Sequence, residues 1–312
     1  MSKDYPTARS APKRLKIAIT GASGFLGRVM ARESEERGHE VLRLSRRAAD
    51  AVVAVDWDQS PEILAGQLRG FAPDCVIHCA GSASVAASLE APQRDLQASV
   101  GTWTHLLEAV RFSGVNPLVL FPSSAAVYGN PDKLPVDERA ALQPISPYGR
   151  HKKIAESLAE EYRVRFGLNV VVLRLFSVFG PTQKRLLVRE LFEKHTGGPG
   201  AVEIGGSGQE TRDFLSEWCV ADAMLQLSSQ PKTTGEWVFN LASGVERSIM
   251  EVACEMRTIT QSGKEIICLQ QARPGDPARW HADTQRIRLR LPGWSPLPFD
   301  VALQRTVADW MS

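Results

Sequence analysis

The 312-residue sequence has little of what marks several common protein classes. Its five cysteines form no C-x-x-C pair, so there is no disulfide framework, and the count fits a reducing compartment. The formal net charge is only +2, without a long run of lysine and arginine, which argues against nucleic acid and anionic membranes as partners. No stretch approaches the roughly 20 apolar residues of a membrane-spanning helix. The histidines lack metal-ligand spacing, so no metal is predicted. We expect a cytoplasmic protein.

What is present is ordinary globular composition, with 43% hydrophobic and 23% charged residues. Residues 1–13 are polar and lack the apolar segment of a signal peptide, so they are predicted to form a flexible N-terminal arm. The rest of the chain is long enough to bury a large core.

Short β-branched runs alternate with segments of helical period through the first half of the chain. The runs lie at 15–20, 40–44, 52–55, 75–79, 118–121 and 170–173, with helical segments near 24–37, 61–69, 92–113 and 147–166. This rhythm predicts an α/β fold, a doubly wound parallel sheet of the Rossmann type.

The rhythm changes after residue 180, where glycine-rich stretches interrupt a less regular region. We predict a dinucleotide-binding domain over 14–180, to which 236–262 returns through a strand at 237–241. Residues 181–235 and 263–312 are predicted to form a smaller C-terminal substrate-binding lobe.

A glycine-rich turn follows the first strand and opens the first helix. Glycines at three-residue spacing let the backbone turn sharply and approach a pyrophosphate, whose charge is met by the helix N-terminus. A glycine-rich turn without a ligand is the alternative. The candidate cofactor contacts here are Gly21, Ser23, Gly24, Phe25, Leu26 and Gly27.

The end of the second strand bears on which dinucleotide binds. An acidic residue there would suit a free ribose 2′-hydroxyl, but the chain reads Ser45-Arg46-Arg47, a hydroxyl and two guanidiniums that suit a 2′-phosphate. NADP(H) is therefore favoured, with NAD(H) possible; a solvated turn is the alternative for the arginines. Asp56 and Trp57 follow the third strand and could hold the adenine, although Asp56 could equally cap its own loop.

The segment from Ser146 to Lys152 has the pattern of a helix start, with Ser146 as N-cap and proline at the first helical position. Tyr148 then lies in the first turn and Lys152 one turn later on the same face. The ammonium and the helix dipole are expected to lower the pKa of the phenol, which is ordinarily about 10. Tyr148 could then exchange a proton with a sugar oxygen, which Ser124 would steady, while hydride moves to or from a nicotinamide.

Several motifs in order along the chain resemble the extended short-chain dehydrogenase/reductases, and more nearly their NAD-dependent epimerase/dehydratase branch, which modifies nucleotide sugars. They are Gly21-x-x-Gly24-x-x-Gly27, His78-Cys79-Ala80, Ser123-Ser124-Ala125-Ala126-Val127-Tyr128-Gly129, Tyr148-x-x-x-Lys152, Arg174 to Pro181, Arg212-Asp213-Phe214 and Arg273-Pro274-Gly275-Asp276.

The resemblance implies specific roles for residues of this chain. Ser124, Tyr148 and Lys152 would be catalytic, and Ala80, Tyr148 and Lys152 would also contact the cofactor. A nucleotide-diphosphate sugar would be the substrate, with Arg212 and Arg273 on its diphosphate. The candidate substrate contacts are Ser84, Ser124, Ser177, Arg212, Arg273 and Asp276. A homodimer is implied through the helices at 92–113 and 147–166.

The chain also departs from the family pattern. Ala98 and Ser177 stand where the family usually carries asparagine, while Glu217 and Cys219 stand where valine and aspartate are typical. These departures concern the identity of the sugar and nucleotide more than the chemistry.

Three functions stay open from the sequence. The segment Ser124-Ala125-Ala126 lacks the acidic pair that dehydratases of this branch carry, which disfavours dehydration. The arginines after the second strand favour an NADPH-dependent 4-ketoreductase similar to the GDP-4-keto-6-deoxymannose reductases. The alternative is a UDP-hexose 4-epimerase with tightly bound NAD, and a non-catalytic NAD(P)-sensing protein is the third.

Overall fold

The structure is a computed structural model that describes residues 14–47, 51–231, 235–271 and 275–312. Its amino-terminal half contains β1 (Lys16–Thr20), α1 (Phe25–Glu36), β2 (Glu40–Ser45), β3 (Val52–Ala54), α2 (Pro61–Phe71), β4 (Cys75–His78), α3 (Val85–Glu90), α4 (Pro92–Leu96), a π-helical turn (Gln97–Gly101), α5 (Thr102–Ser113), β5 (Leu118–Ser124), a 3-10 turn (Ala125–Val127) and α6 (Pro147–Phe166). The helix expected over 92–113 is therefore interrupted by the π-helical turn. The predicted arm at 1–13 lies outside the described residues.

The carboxy-terminal half contains shorter elements. They are β6 (Asn169–Leu175), β7 (Ser177–Phe179), α7 (Leu187–Thr196), β8 (Val202–Ile204), β9 (Thr211–Ser216), α8 (Glu217–Ser228), β10 (Val238–Leu241), β11 (Glu246–Ser248), α9 (Ile249–Thr260), β12 (Ile266–Cys268), α10 (Gln285–Arg290) and α11 (Phe299–Met311). Among the described residues, no helix has both the length and the hydropathy that crossing a membrane requires.

Seven strands form one parallel sheet in the order β10-β6-β5-β4-β1-β2-β3. The chain runs outward from β1 through β2 to β3 on one side and from β4 to β6 on the other. The strand order thus reverses between β1 and β4, and a crevice opens at the carboxyl ends of strands at such a switch point. The predicted doubly wound α/β fold is confirmed.

Helices cover both faces of this sheet, which explains the near-continuous apolar strands. Ile17 and Ile19 of β1 pack with α1 and α8, whereas Ala18 between them faces Trp103 and Leu106 of α5. Successive strand side chains point to opposite faces, so a sheet buried on both sides needs apolar residues throughout.

A smaller lobe packs around its own core beyond the carboxyl ends of the strands. Its sheets are β11-β9-β7 and β12-β8, and its helices are α7, α9 and α11. Phe179, Phe214 and Phe299 form its aromatic centre, with Phe299 5.2 Å from Phe179 and 5.3 Å from Phe214 between ring centroids.

The division of the chain differs from the expected one in two places. In the range 236–262, only β10 joins the main sheet, whereas α9 packs into the core of the lobe. Helix α8, expected in the lobe, covers the main sheet through Val220 and Met224, and Ile287 of α10 joins the same core. The reason is that each apolar helix face packs where the nearest uncovered surface lies, which sequence order alone does not reveal.

Candidate active site

A cavity of about 750 Å³ opens where the carboxyl ends of the strands meet the lobe. Its wall includes side chains from the glycine-rich turn, the ends of β4 and β5, α6 and the lobe. The predicted site residues on this wall are Gly24, Phe25, Leu26, Ala80, Ser84, Ser124, Tyr148, Lys152, Ser177, Arg212 and Asp276. The fold thus gathers the chemical residues, the described substrate candidates and part of the cofactor candidates around one space.

The glycine-rich turn allows no side chains at its tightest points. Gly21 has φ +65°, and a Cβ there would lie 2.5 Å from the Ala80 nitrogen. A Cβ on Gly27 would collide with the Gly21 oxygen, so this glycine lets α1 pack onto the turn. Gly24 begins the helix, and no side chain of the described residues caps the N–H groups there.

These features fit a dinucleotide, because a bare turn at an uncapped helix N-terminus can receive a pyrophosphate. The cavity next to the turn also borders Tyr148 and Lys152 of α6. Within the described ranges, no group of three or more His, Cys, Asp and Glu side chains is arranged to hold a metal ion.

The carboxyl end of β2 lies beside this turn. The hydroxyls of Ser23 and Ser45 are hydrogen-bonded at 2.6 Å, and Arg28 Nε donates to the Ser23 carbonyl at 2.8 Å. Arg46 and Arg47 follow and are exposed. A hydrogen-bonded hydroxyl pair at the end of β2 is therefore followed directly in the chain by two exposed arginines, where the sequence predicts the adenosine ribose.

Asp56 and Trp57 both have contacts within the protein. Asp56 accepts hydrogen bonds from the Asp58 N–H and from Gln59 Nε2, both at 3.0 Å, so its carboxylate caps its own loop. The Trp57 ring meets His105 edge-on at 5.3 Å between centroids. These two residues, with Gly21, Ser23, Gly27, Ser45, Arg46 and Arg47, contribute nothing to the described wall of the cavity.

The first turn of α6 is fixed by neighbours on two sides. Ser146 Oγ accepts the Gly149 N–H at 3.2 Å, as expected of an N-cap, and Ser88 Oγ accepts the Tyr148 N–H at 3.1 Å. A Cβ on Gly149 would collide with the Ala126 oxygen, so only glycine lets the 3-10 turn approach this closely. The backbone that carries Tyr148 is thereby held beside Ser124.

Lys152 lies one turn further along α6 and is buried at 7% exposure. Its Nζ donates to the Pro122 carbonyl at 2.9 Å and stands 5.9 Å from the centre of the Tyr148 ring. Burial lowers the pKa of Lys152 to about 8, while the charges of Glu156 and Asp95 oppose the shift. The ammonium is thus available at neutral pH.

The expected lowering of the Tyr148 pKa was wrong for this structure. Burial raises the pKa of Tyr148 to about 12; the hydrogen bond with Ser124 lowers it, and the charge of Asp95 adds to the rise. Desolvation outweighs the Ser124 hydrogen bond because the phenol is only 9% exposed, and the Lys152 ammonium donates to the Pro122 carbonyl instead. The phenol is therefore protonated, as an acid must be before it donates.

The two serines at the end of β5 both line the cavity but make different hydrogen bonds. Ser124 lies on the cavity wall, and its Oγ accepts the Ala126 N–H at 3.2 Å. Ser123 donates to Glu156 Oε1 at 2.5 Å, and Arg174 Nη2 donates to Glu156 Oε2 at 2.7 Å. This buried network holds the strand end against α6.

Sequence reasoning did not single out Glu156 or Asp95, whose charges act on Lys152. For Glu156 a signal was present, since it continues the spacing of Tyr148 and Lys152 by another four residues. Asp95 lies on α4, and nothing in its sequence position relates it to Tyr148 or Lys152.

The lobe brings its own polar groups to the cavity. Arg212 is buried, its guanidinium lies 5.3 Å from the Trp280 ring centre, and its Nη2 is 3.8 Å from Asp276 Oδ2. Ser177 lies on β7, and Ser84 caps α3 by accepting the Ala87 N–H at 3.2 Å. Arg273 lies outside the described residues. The described groups could meet a phosphate-bearing substrate that reaches from Arg212 to Tyr148.

Comparison with known proteins gives relatives along nearly the whole chain. A UDP-glucose 4-epimerase of Streptomyces lividans is 28% identical, with 95% of this chain and 96% of the relative aligned. A GDP-6-deoxy-D-mannose reductase of Pseudomonas aeruginosa is 30% identical, with 95% and 97% aligned.

Solved structures are also similar to this chain along nearly its whole length. The UDP-glucose 4-epimerase of Thermus thermophilus, in complex with NAD, superposes with a TM-score of 0.84 at 26% identity, covering 96% of this chain and 99% of that one. The UDP-glucose 4-epimerase of Thermotoga maritima with UDP-glucose gives 0.84 at 27% identity, covering 95% and 99%.

The family model described as the NAD dependent epimerase/dehydratase family matches residues 17–242. That span takes in the glycine-rich turn, the serine at the end of β5, the Tyr148–Lys152 pair and Arg212, which the sequence motifs had indicated. The chain is therefore an enzyme of the NAD-dependent epimerase/dehydratase family, as the resemblance of its motifs predicted.

Proposed function

We propose that this enzyme transfers hydride at C4 of a nucleotide-linked hexose and acts as an NADPH-dependent 4-ketoreductase, similar to the GDP-4-keto-6-deoxymannose reductases. The observation that carries the proposal is the end of β2. Ser45 is bonded to Ser23 of the turn, and Arg46 and Arg47 stand exposed after it, with no carboxylate at those three positions. Guanidiniums match a 2′-phosphate in charge and geometry. The identity to the Pseudomonas aeruginosa reductase supports the same choice.

The side chains at the cavity suit a reduction. The bound cofactor supplies a hydride to the sugar carbonyl carbon. Tyr148 holds a proton on its phenol and gives it to the carbonyl oxygen as negative charge develops there. Ser124 positions that oxygen, and the Lys152 ammonium stabilises the phenolate left behind. Arg212 would hold the diphosphate at the other end of the cavity.

A UDP-hexose 4-epimerase with retained NAD is the second candidate. It is favoured by the number of relatives that carry this name, among them the proteins of Streptomyces lividans and Mycolicibacterium smegmatis. An epimerase returns its hydride to the substrate, so cofactor is not consumed. This difference separates the two candidates experimentally.

The homodimer also stays a proposal, through α4, α5 and α6. Apolar side chains are exposed on these helices, namely Leu96, Phe112, Ile154, Val164 and Phe166. Light scattering checks it, and a monomeric mass contradicts it.

The test measures cofactor binding and turnover of candidate substrates on the same purified protein. Purified protein is titrated with NADPH and NADH, and GDP-, UDP- and dTDP-linked 4-keto and 4-hydroxy hexoses are screened by the absorbance of reduced nicotinamide. We expect tighter NADPH binding and its stoichiometric oxidation by a 4-keto sugar. Interconversion of 4-hydroxy epimers without net cofactor change would show the epimerase instead, and no turnover on any sugar would favour the cofactor sensor.

A further inference from the structure

Asp95 and His151 form a tight pair beside the first turn of α6. His151 Nδ1 and Asp95 Oδ2 are 2.5 Å apart. The Asp95 side chain is buried at 2% exposure, whereas His151 keeps 12% and so reaches solvent. His151 precedes Lys152 and lies three residues after Tyr148, and α4 packs against α6 at this point. The pair thus joins the protein surface to the neighbourhood of the phenol and the amine.

The buried end of this pair carries unused hydrogen-bonding capacity. Asp95 Oδ1 and Ser99 Oγ have no hydrogen-bond partner among the described residues, although both residues are more than nine-tenths buried. They lie four residues apart, where the helix passes into the π-helical turn that packs on α6. Buried polar atoms are ordinarily hydrogen-bonded, so two buried oxygens without such a bond, one turn apart on the same helix, require an explanation.

Asp95 acts electrostatically on both groups at the centre of the site. Its charge raises the pKa of Tyr148 and opposes the burial that lowers the pKa of Lys152. The other ionisable groups that act on Lys152 are Glu156 of the same helix and Cys79 at the end of β4. Glu156 is bonded to Ser123 and Arg174, and burial raises the pKa of Cys79 to about 12, so neither is arranged to exchange protons with water.

The proposed reduction needs a supply of protons. In each turnover C4 of the sugar gains a hydride from the reduced nicotinamide and its oxygen gains the proton of Tyr148, so one proton must enter from solvent. Tyr148 and Lys152 are 9% and 7% exposed before any ligand covers them.

We propose that Asp95 and His151 supply this proton. The inference rests on the proposed function. His151 accepts a proton from water at Nε2 and passes the one on Nδ1 to Asp95 Oδ2. The Asp95 carboxyl then gives up this proton to the Tyr148 phenolate that the reduction leaves, and His151 regains its first tautomer by proton exchange with water. Imidazole is suited to the first step, since it exchanges protons near neutral pH.

The first experiment replaces the imidazole in the full-length enzyme. His151→Asn is expected to lower kcat roughly 100-fold, the lower range for general acid–base groups, with KM little changed. Added imidazole should restore part of kcat with a saturating dose response, which lost packing would not allow. Arg150→Gln, an exposed neighbour on the same helix, is the control and should show neither the loss nor the rescue. An unchanged kcat in His151→Asn, or a loss that imidazole does not rescue, would overturn the proposal while leaving the reductase assignment intact.

A second measurement does not depend on the reaction. The phenolate absorbance of Tyr148, taken as the difference from Tyr148→Phe, is titrated with NADP⁺ bound. Asp95→Asn should move the pKa of Tyr148 down by about one unit, since a nearby negative charge is removed. An unchanged titration in Asp95→Asn would show that Asp95 does not communicate with the phenol, whichever reaction the enzyme catalyses.

Discussion

Glu217 accepts two hydrogen bonds from Thr182, at 3.3 Å from its N–H and at 2.9 Å from its hydroxyl, although the glutamate is wholly buried. Its carboxylate lies against Gly180, where a Cβ would collide with it, and 3.8 Å from Arg32 of α1. The carboxylate thus ties the start of α8 to the loop after β7. Burial raises the pKa of Glu217 to about 7 from its ordinary 4.5.

This shift predicts a stability that falls as pH rises. Between pH 4.5 and about 7 the folded chain holds a proton on Glu217 that the unfolded chain has lost, so the free energy of unfolding decreases across that window and levels off above it. Glu217→Gln removes this pH dependence, and at pH 8 it should raise the free energy of unfolding by about 1 to 3 kcal/mol. Urea denaturation at pH 5 and pH 8 measures both effects.

The matched control is Asp222→Asn on the same helix, a partly exposed carboxylate paired with Arg37, which should change stability by about 0.5 kcal/mol or less. If Glu217→Gln is destabilised equally at both pH values, the carboxylate is ionised throughout and the pKa assignment is wrong.

Tyr148→Phe tests the proton donor directly. The variant keeps the ring but loses the hydroxyl, so turnover should fall by about 100-fold or more while NADPH binding is retained. Fluorescence titration of the cofactor and steady-state kinetics provide the two readouts. Tyr162→Phe is the control, since its hydroxyl bonds Glu108 between α5 and α6, and its turnover should be near that of the wild type. Residual activity close to wild type in Tyr148→Phe would remove the phenol from the mechanism.

The pKa of Lys152 sets the pH dependence of activity. With a value of about 8, the amine is charged at neutral pH and loses its charge above that value, while Tyr148 stays protonated up to about 12. We therefore expect kcat/KM for the reduction to decline about tenfold for each pH unit well above 8, as one essential proton is lost. A profile of kcat/KM from pH 6 to pH 10 measures this, and a flat profile would contradict it.

The arginines after β2 determine the cofactor preference in our proposal. Replacing Arg46 and Arg47 together by alanine should weaken NADPH binding about 10- to 100-fold and leave NADH binding almost unchanged, because charge-assisted contacts to the 2′-phosphate are lost. Calorimetric titration with both cofactors measures the ratio. Arg165→Ala, an exposed arginine at the far end of α6, serves as the control. Equal losses for both cofactors would place the arginines at a shared part of the dinucleotide.

Much of the fold and part of the site could be read from the sequence. The start of α6 is the clearest case, because Ser146, Pro147 and the Tyr148–Lys152 spacing act within one or two turns, and the helix begins at the predicted residue. The glycine-rich turn was equally readable, since its geometry depends on residues within one turn. The Asp95–His151 pair was not, because its members are 56 positions apart in the chain and meet only through packing.

The sequence by itself determined the order of strands and helices and the motifs at their ends, because backbone preferences and hydrophobic period act over a few residues. Tertiary structure decided the rest: which core α8 and α9 join, that Tyr148 holds its proton, and that Glu217 is buried beside Thr182. The physical reason is that desolvation and charge depend on everything packed around a group, and distant parts of the chain supply most of that surrounding.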